Sequence, residues 1–297
     1  MILVNVFFIF SFPKTNTGPD LGIQNSALNS TQAYIFPISE PSYLPVLNTA
    51  IERPGIAARS AIVYDMRSSR FLYSKNPEER LPIASLTKLL SAVVIFENLN
   101  LDNAVTVPKE AIRVDEEKQT LYLDEKIRVR DLVRMMLIES SNDAAYALKL
   151  HASSSGIDLV GLMNRKAVEL GMHNSIFHDP AGLNDDALST SDDLMKLVRY
   201  SLKFDELWSI LGEKTISVYS IDGRIEHHLN STNHLLGVIP DVVGGKTGYT
   251  EKAFGCMILV VDVPGKNDKL ISVVLGSSER FTDTQKLVNW VKRAYTW

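Results

Sequence analysis

Apolar and polar positions change period more than once along this chain. Ser60-Ala61-Ile62-Val63-Tyr64-Asp65 and Arg70-Phe71-Leu72-Tyr73 flank the polar Arg67-Ser68-Ser69, which predicts two strands around a turn. After Ser85 the apolar positions Leu86, Leu89, Leu90, Val93 and Val94 recur at three- and four-residue spacing, without Gly or Pro. That spacing predicts a helix opened by Ser85, with one buried face. Residues from about 108 to 205 keep a helical pattern, including 129–138 and 158–169. Near Ile216 the pattern turns β-rich, with Asp222-Gly223 marking a hairpin turn. Residues 242–247, 254–263 and 269–275 read as strands, and 282–295 as a closing amphipathic helix. Strands at both ends with helices between them predict an α/β (α+β) fold. Its sheet is built from both termini and covered by helices, with a helical subdomain at about 105–205.

The N-terminus has a different texture. Residues 2–12 are apolar except for Asn5 and Ser11, and Pro13-Lys14 ends the run. It is too short to span a bilayer and has no Lys or Arg ahead of it. We expect residues 1–12 to be the remnant of an export signal or membrane anchor. Residues 13–50, rich in Pro, Ser, Thr and Asn, are expected to be a flexible tether, and 51–297 the folded domain.

Composition narrows the function. With 297 residues, 45% hydrophobic and 22% charged, the chain can bury a sizeable core. A net charge of −4 and the absence of a basic stripe argue against nucleic acid as a partner. The single cysteine, Cys256, lies in an apolar run and reads as a small buried hydrophobe. His151, His173, His178, His227, His228 and His234 show no metal-ligand spacing and read as polar turn and surface residues. No metal or other cofactor is expected.

Three short boxes carry the chemistry: Ser85-Leu86-Thr87-Lys88, Ser140-Ser141-Asn142 and Lys246-Thr247-Gly248. Each is weak alone. About one Ser-x-x-Lys is expected by chance in such a chain, and Ser11-Phe12-Pro13-Lys14 is a decoy whose proline blocks a helix. Ser231-Thr232-Asn233 is a second Ser-x-Asn. Gly245-Lys246-Thr247 ends like a phosphate loop, but that pattern needs glycine where Pro240 stands. Ser85 and Lys88, three apart, share a helix face, and the unpaired N–H groups of a first turn favour negative charge beside Ser85. The three boxes in this order are the working parts of serine acyl-transfer sites.

From about residue 55 onward the chain resembles the D-alanyl-D-alanine carboxypeptidase family of low-molecular-mass penicillin-binding proteins. Besides the boxes, the likeness covers Ser140-Ser141-Asn142-Asp143-Ala144-Ala145, Leu170-Gly171-Met172, Asp179-Pro180-Ala181-Gly182-Leu183 and the Ser231-Thr232-Asn233 turn. The resemblance implies a β-lactamase/transpeptidase-like fold with an antiparallel sheet. Ser141 departs from the pattern, since many members carry glycine there. The chain ends at Trp297, where larger members continue into a β-domain and a membrane helix, so anchoring is expected from the N-terminal run.

The resemblance also implies roles. Ser85 is the nucleophile and Lys88 its general base, which must be partly neutral; burial beside Lys246 would lower its pKa. Ser140 relays protons towards Lys88 and the leaving amine, and Asn142 holds the substrate and orients Lys88. The backbone N–H groups of Ser85 and Tyr249 form an oxyanion hole. Lys246, Thr247, Gly248 and Arg280 bind the substrate, whose terminal carboxylate suits a guanidinium fork. The side chains of Tyr249 and Phe254 are either cleft wall or core. The partners implied are peptidoglycan stem peptides ending in D-Ala-D-Ala, with β-lactams as acylating inhibitors, outside the cytoplasm. Alternatives are a D,D-endopeptidase, a β-lactamase and a non-enzymatic penicillin sensor. A β-lactamase of class A adds a deacylating Glu in E-x-x-x-N; the nearest candidate, Glu169, is followed at the fourth position by His173.

Overall fold

Strands from the two ends of the chain pair in one five-stranded antiparallel sheet. The computed structural model describes residues 44–114, 119–263 and 265–297. The expected anchor at 1–12, and the tether up to residue 43, lie outside the described residues. We number the sheet strands β1 (Ser60–Asp65), β2 (Arg70–Lys75), β3 (Val242–Thr250), β4 (Phe254–Val263) and β5 (Asp268–Ser277). Their order is β3-β4-β5-β1-β2, so β5 from the C-terminal part lies against β1. The register sets Val273 opposite Ile62 and Ile271 opposite Tyr64.

The inner strands β1, β4 and β5 read as nearly continuous apolar runs because both faces of the sheet are covered. Ile62, Tyr64, Ile258, Val260 and Val273 pack with the helices of the larger core. Their alternates Val63, Met257, Leu259 and Val274 pack against Leu287, Val288, Trp290 and Val291 of the last helix. Cys256 is fully buried on the first of these faces. Burial pushes its thiol up to about 11, so it stays a protonated core residue.

Besides a single turn at Lys109–Ile112, the helices of the described residues are α1 (Thr87–Asn98), α2 (Val129–Ile138), α3 (Asn142–Ser154), α4 (Leu159–Glu169), α5 (Ser191–Ser201), α6 (Asp205–Gly212) and α7 (Arg280–Ala294). Every residue of α1 from Thr87 to Ile95 is buried, which makes it the central helix of the larger core. Capping sets several starts. The Asp158 side chain accepts from Gly161 N at α4, and that of Thr190 accepts from Asp193 N at α5.

Some boundaries differ from the sequence reading. Ser85 does not open the α-helix: Ala84–Leu86 form a 3-10 turn, and α1 begins at Thr87. The region about 105–205 also contains strand pieces, since Ala104–Thr106 pairs with Lys126–Arg128. Val46–Leu47 pairs with Tyr295–Thr296, so the folded part reaches back past the boundary at residue 51. The hairpin at Asp222-Gly223 joins Thr215–Tyr219 to Glu226–Asn230. His227 on that hairpin is buried rather than at the surface, because its Nε2 donates to Glu125 Oε1 at 2.6 Å.

Candidate active site

The turn that carries Ser85 is held by close backbone approaches. Gly182, with φ +76°, lies so near that a Cβ there would sit 2.0 Å from Ala84 O. A Cβ on Gly248 of β3 would sit 2.8 Å from Ile83 O and 3.2 Å from Ser85 N. Only glycine allows either approach. Ala84 itself has φ +48°, a strained value for a residue with a Cβ, immediately before the candidate nucleophile.

Lys88, one helical turn on, is fully buried. Its Nζ donates to Ser85 Oγ at 2.8 Å, to Asn142 Oδ1 at 2.7 Å and to Ala181 O at 2.8 Å. The Ala181 carbonyl is aimed by Asp179, whose Oδ1 accepts from Ala181 N at 2.7 Å and Gly182 N at 2.6 Å. Asp179 Oδ2 accepts from Asn184 N at 2.8 Å. Ser91 Oγ on α1 ties the same loop down by donating to Pro180 O at 2.7 Å.

Ser140 lies between α2 and α3 with φ +66°, in the left-handed region where glycine usually ends a helix. Ser141 is the N-cap of α3: its Oγ accepts from Ala144 N at 3.1 Å and lies 2.6 Å from Thr120 Oγ1. Its φ of −57° needs no glycine, so this departure from the family pattern leaves the loop intact and supplies a cap. Lys246 on β3 reaches across to Ser140, donating to its Oγ at 3.0 Å. Burial, then the nearby Arg280 cation, push Lys246 down to about 7. Thr247 Oγ1 lies 2.6 Å from Thr232 Oγ1, so the second Ser-x-Asn contributes a residue to the site.

These groups border one cleft of about 300 Å³, lined by Ser85, Ser140, Asn142, Gly182, Thr232, Thr247, Gly248, Tyr249 and Arg280 among others. Strand β3 is the edge of the sheet and borders this cleft, so alternate backbone groups along it have no neighbouring strand to bond. Tyr249 is mostly exposed and forms cleft wall; Phe254 is half-exposed and belongs to neither core. Arg280 heads α7 with its guanidinium 4.7 Å from the Phe281 ring and 5.8 Å from the Tyr249 ring. Its Nε is buried without a hydrogen-bond partner among the described residues, and burial lowers its pKa from the ordinary value.

The three boxes and Arg280 thus converge, although they are far apart in the chain. The sequence reading missed Glu139, Thr232 and the Ala181 carbonyl. Glu139 had one available signal, its place directly before Ser140. Glu169 is not part of the site. It ends α4, mostly exposed, with its Oε2 2.7 Å from Lys166.

Known proteins are similar to this chain in sequence and in fold. The sequence model of the family described as D-alanyl-D-alanine carboxypeptidase matches residues 47–279. The chain is similar to the D-alanyl-D-alanine carboxypeptidase DacF of Bacillus subtilis, 30% identical over 248 residues. That alignment covers 80% of this chain and 63% of the relative, so the chain spans less than two thirds of its length. It is similar to the D-alanyl-D-alanine endopeptidase of Pseudomonas aeruginosa, also at 30% identity, over 80% of this chain and 78% of that one. Among solved structures, the Streptomyces K15 DD-transpeptidase aligns with a TM-score of 0.74 and 28% identity, covering 81% of this chain and 99% of that one. The sheet and the helices are those of the D,D-peptidase fold, and the chain belongs to the D-alanyl-D-alanine carboxypeptidase family of serine peptidases.

Proposed function

We propose that this chain is a serine-type D-Ala-D-Ala carboxypeptidase that removes the terminal D-alanine of peptidoglycan stem peptides through an acyl-enzyme on Ser85. The observation that carries the proposal is the set of contacts around Lys88. Asn142 Oδ1 and Ala181 O are obligate acceptors, so each takes an N–H of the amine. A neutral Lys88 then has its lone pair left for Ser85 Oγ, the arrangement a general base requires. Ser85 attacks the scissile carbonyl as Lys88 takes its proton, and the backbone N–H groups of Ser85 and Tyr249 bind the oxyanion. Losing one such donor typically costs about 100- to 1000-fold in rate. Ser140, bonded to Lys246, passes a proton to the leaving amine. Water then hydrolyses the acyl-enzyme.

The substrate's terminal carboxylate is held by Lys246, Thr247 and Arg280, with Gly248 giving it room beside the Ser85 turn. β-Lactams acylate the same serine. The enzyme acts outside the cytoplasm, with the folded part from Val46 onward as catalytic domain and the N-terminal run as tether. Among the described residues no helix is long and apolar enough to cross a membrane. A second reading, cleavage of D,D-crosslinks, is favoured by one observation: the Pseudomonas endopeptidase matches at equal identity over a larger share of its own length.

The test is D-alanine release from diacetyl-Lys-D-Ala-D-Ala. Release that vanishes in Ser85→Ala supports the carboxypeptidase. Cleavage of a crosslinked muropeptide without release from the small peptide would transfer the assignment to the endopeptidase.

A further inference from the structure

Glu139 follows the last residue of α2 and lines the cleft beside Ser85 and Ser140. Among the described residues it is the sole acidic one of that lining, as Arg280 is the sole basic one. Its Oε1 is buried and has no hydrogen-bond partner among the described residues. Neighbouring carboxylates are better served. Glu125 accepts from His227 Nε2 at 2.6 Å and Tyr122 N at 3.2 Å. Asp143 accepts from Thr120 N at 2.7 Å and Leu121 N at 3.3 Å. Native structures leave few buried polar atoms unpaired, and an unpaired one on a cleft wall points to a partner that arrives with the ligand. A carboxylate accepts only, and its strongest partner is a cationic N–H donor.

We infer that Glu139 is a specificity-determining residue for a free amine on the peptide substrate, a cation site in the cleft whose anion site is Arg280. This rests on the peptidase reading above and extends it to a second charge on the substrate. Burial pushes the Glu139 carboxyl up to about 7, against the pull of His227 and with Asp143 adding to the rise. The titratable groups that act on it are His227, which is bonded to Glu125, and Asp143 on α3, and Arg280 lines the same cleft. An incoming ammonium supplies the hydrogen-bond donor that Glu139 Oε1 lacks among the described residues. Since the carboxylate form grows as pH rises through about 7, amine binding tightens in that direction.

The experiment measures calorimetric Kd values on the Ser85→Ala chain, which cannot turn the ligand over. The ligands are Nα-acetyl-Lys-D-Ala-D-Ala, with its free amine, and the same peptide acetylated on that amine. The free amine should bind about 10-fold more tightly at pH 8, as expected of a charge-assisted contact. The ratio should shrink at pH 6 and fall to about one in Glu139→Gln. Equal Kd values for the two peptides, or a ratio that survives Glu139→Gln, would overturn the inference. The parent ratio and its pH dependence decide it even if Glu139→Gln does not fold. A merely structural Glu139 would shift both peptides equally. Failure of the unsubstituted chain to release D-alanine would count against the peptidase reading, while the Kd ratio still decides the amine site.

Discussion

Lys88 and Lys246 are both buried amines, and their surroundings give them different work. Lys88 is surrounded by oxygen acceptors that fix its direction towards Ser85. Lys246 lies near Arg280, and burial with that cation holds its pKa at about 7. Lys246 is therefore charged below about pH 7 and neutral above it in the empty site. Lysine-selective NMR should show a side-chain signal titrating near 7 that is missing in Lys246→Met; an unchanged set of titrations in Lys246→Met would contradict the electrostatics. Arg280 is the second cation of the carboxylate site proposed above. Arg280→Ala should lower kcat/KM for peptides with a free terminal carboxylate by about 10- to 100-fold, as for a lost charged hydrogen bond. The matching amides should change far less, and equal losses would remove Arg280 from carboxylate recognition. At this scale the boxes were legible in the sequence because serine acyl transfer needs these residue types at these spacings. Glu139 and Thr232 were not, since their place on the cleft follows from how α2 and β3 are brought together.

Short connections, more than the regular elements, set the catalytic geometry. The stretch 129–138 is a helix over the residues its period predicts, because a buried face enforces that period. The 3-10 turn at Ser85 leaves no such trace. It depends on Gly182 and Gly248 closing on it from distant parts of the chain. The loop from Asp179 to Asn184 is equally non-local in its effect: Asp179 aims Ala181 O at Lys88. Asp179→Ala should leave several loop N–H groups without their acceptor, costing about 2–4 kcal/mol of stability, and slow Ser85 acylation. Asp179→Asn keeps an oxygen for the Ala181 and Gly182 bonds and should be milder. Denaturant melts and acylation rates of the two variants check this; an Asp179→Ala enzyme that acylates at the parent rate would show that the loop does not position Lys88.

At the scale of the whole domain, one buried side chain joins the chain's two ends. Asp283 on α7 accepts from Ala57 N at 3.1 Å, Ala58 N at 2.8 Å and Ser277 Oγ at 2.7 Å. It ties the approach to β1, the end of β5 and the helix headed by Arg280. Asp283→Ala should cost about 3 kcal/mol. That corresponds to a Tm lower by roughly 6–12 °C. A calorimetric scan within a degree of the parent would refute the clamp. The sheet from both termini was legible because its inner strands are apolar on both faces, whereas strand order and the cleft itself arise only on assembly. The central claim is acyl transfer on Ser85, and the most direct test is mass spectrometry of the protein after benzylpenicillin. The account predicts one covalent adduct on the proteolytic peptide that contains Ser85, absent in Ser85→Ala. An adduct on another residue, or none in the unsubstituted chain, would contradict it.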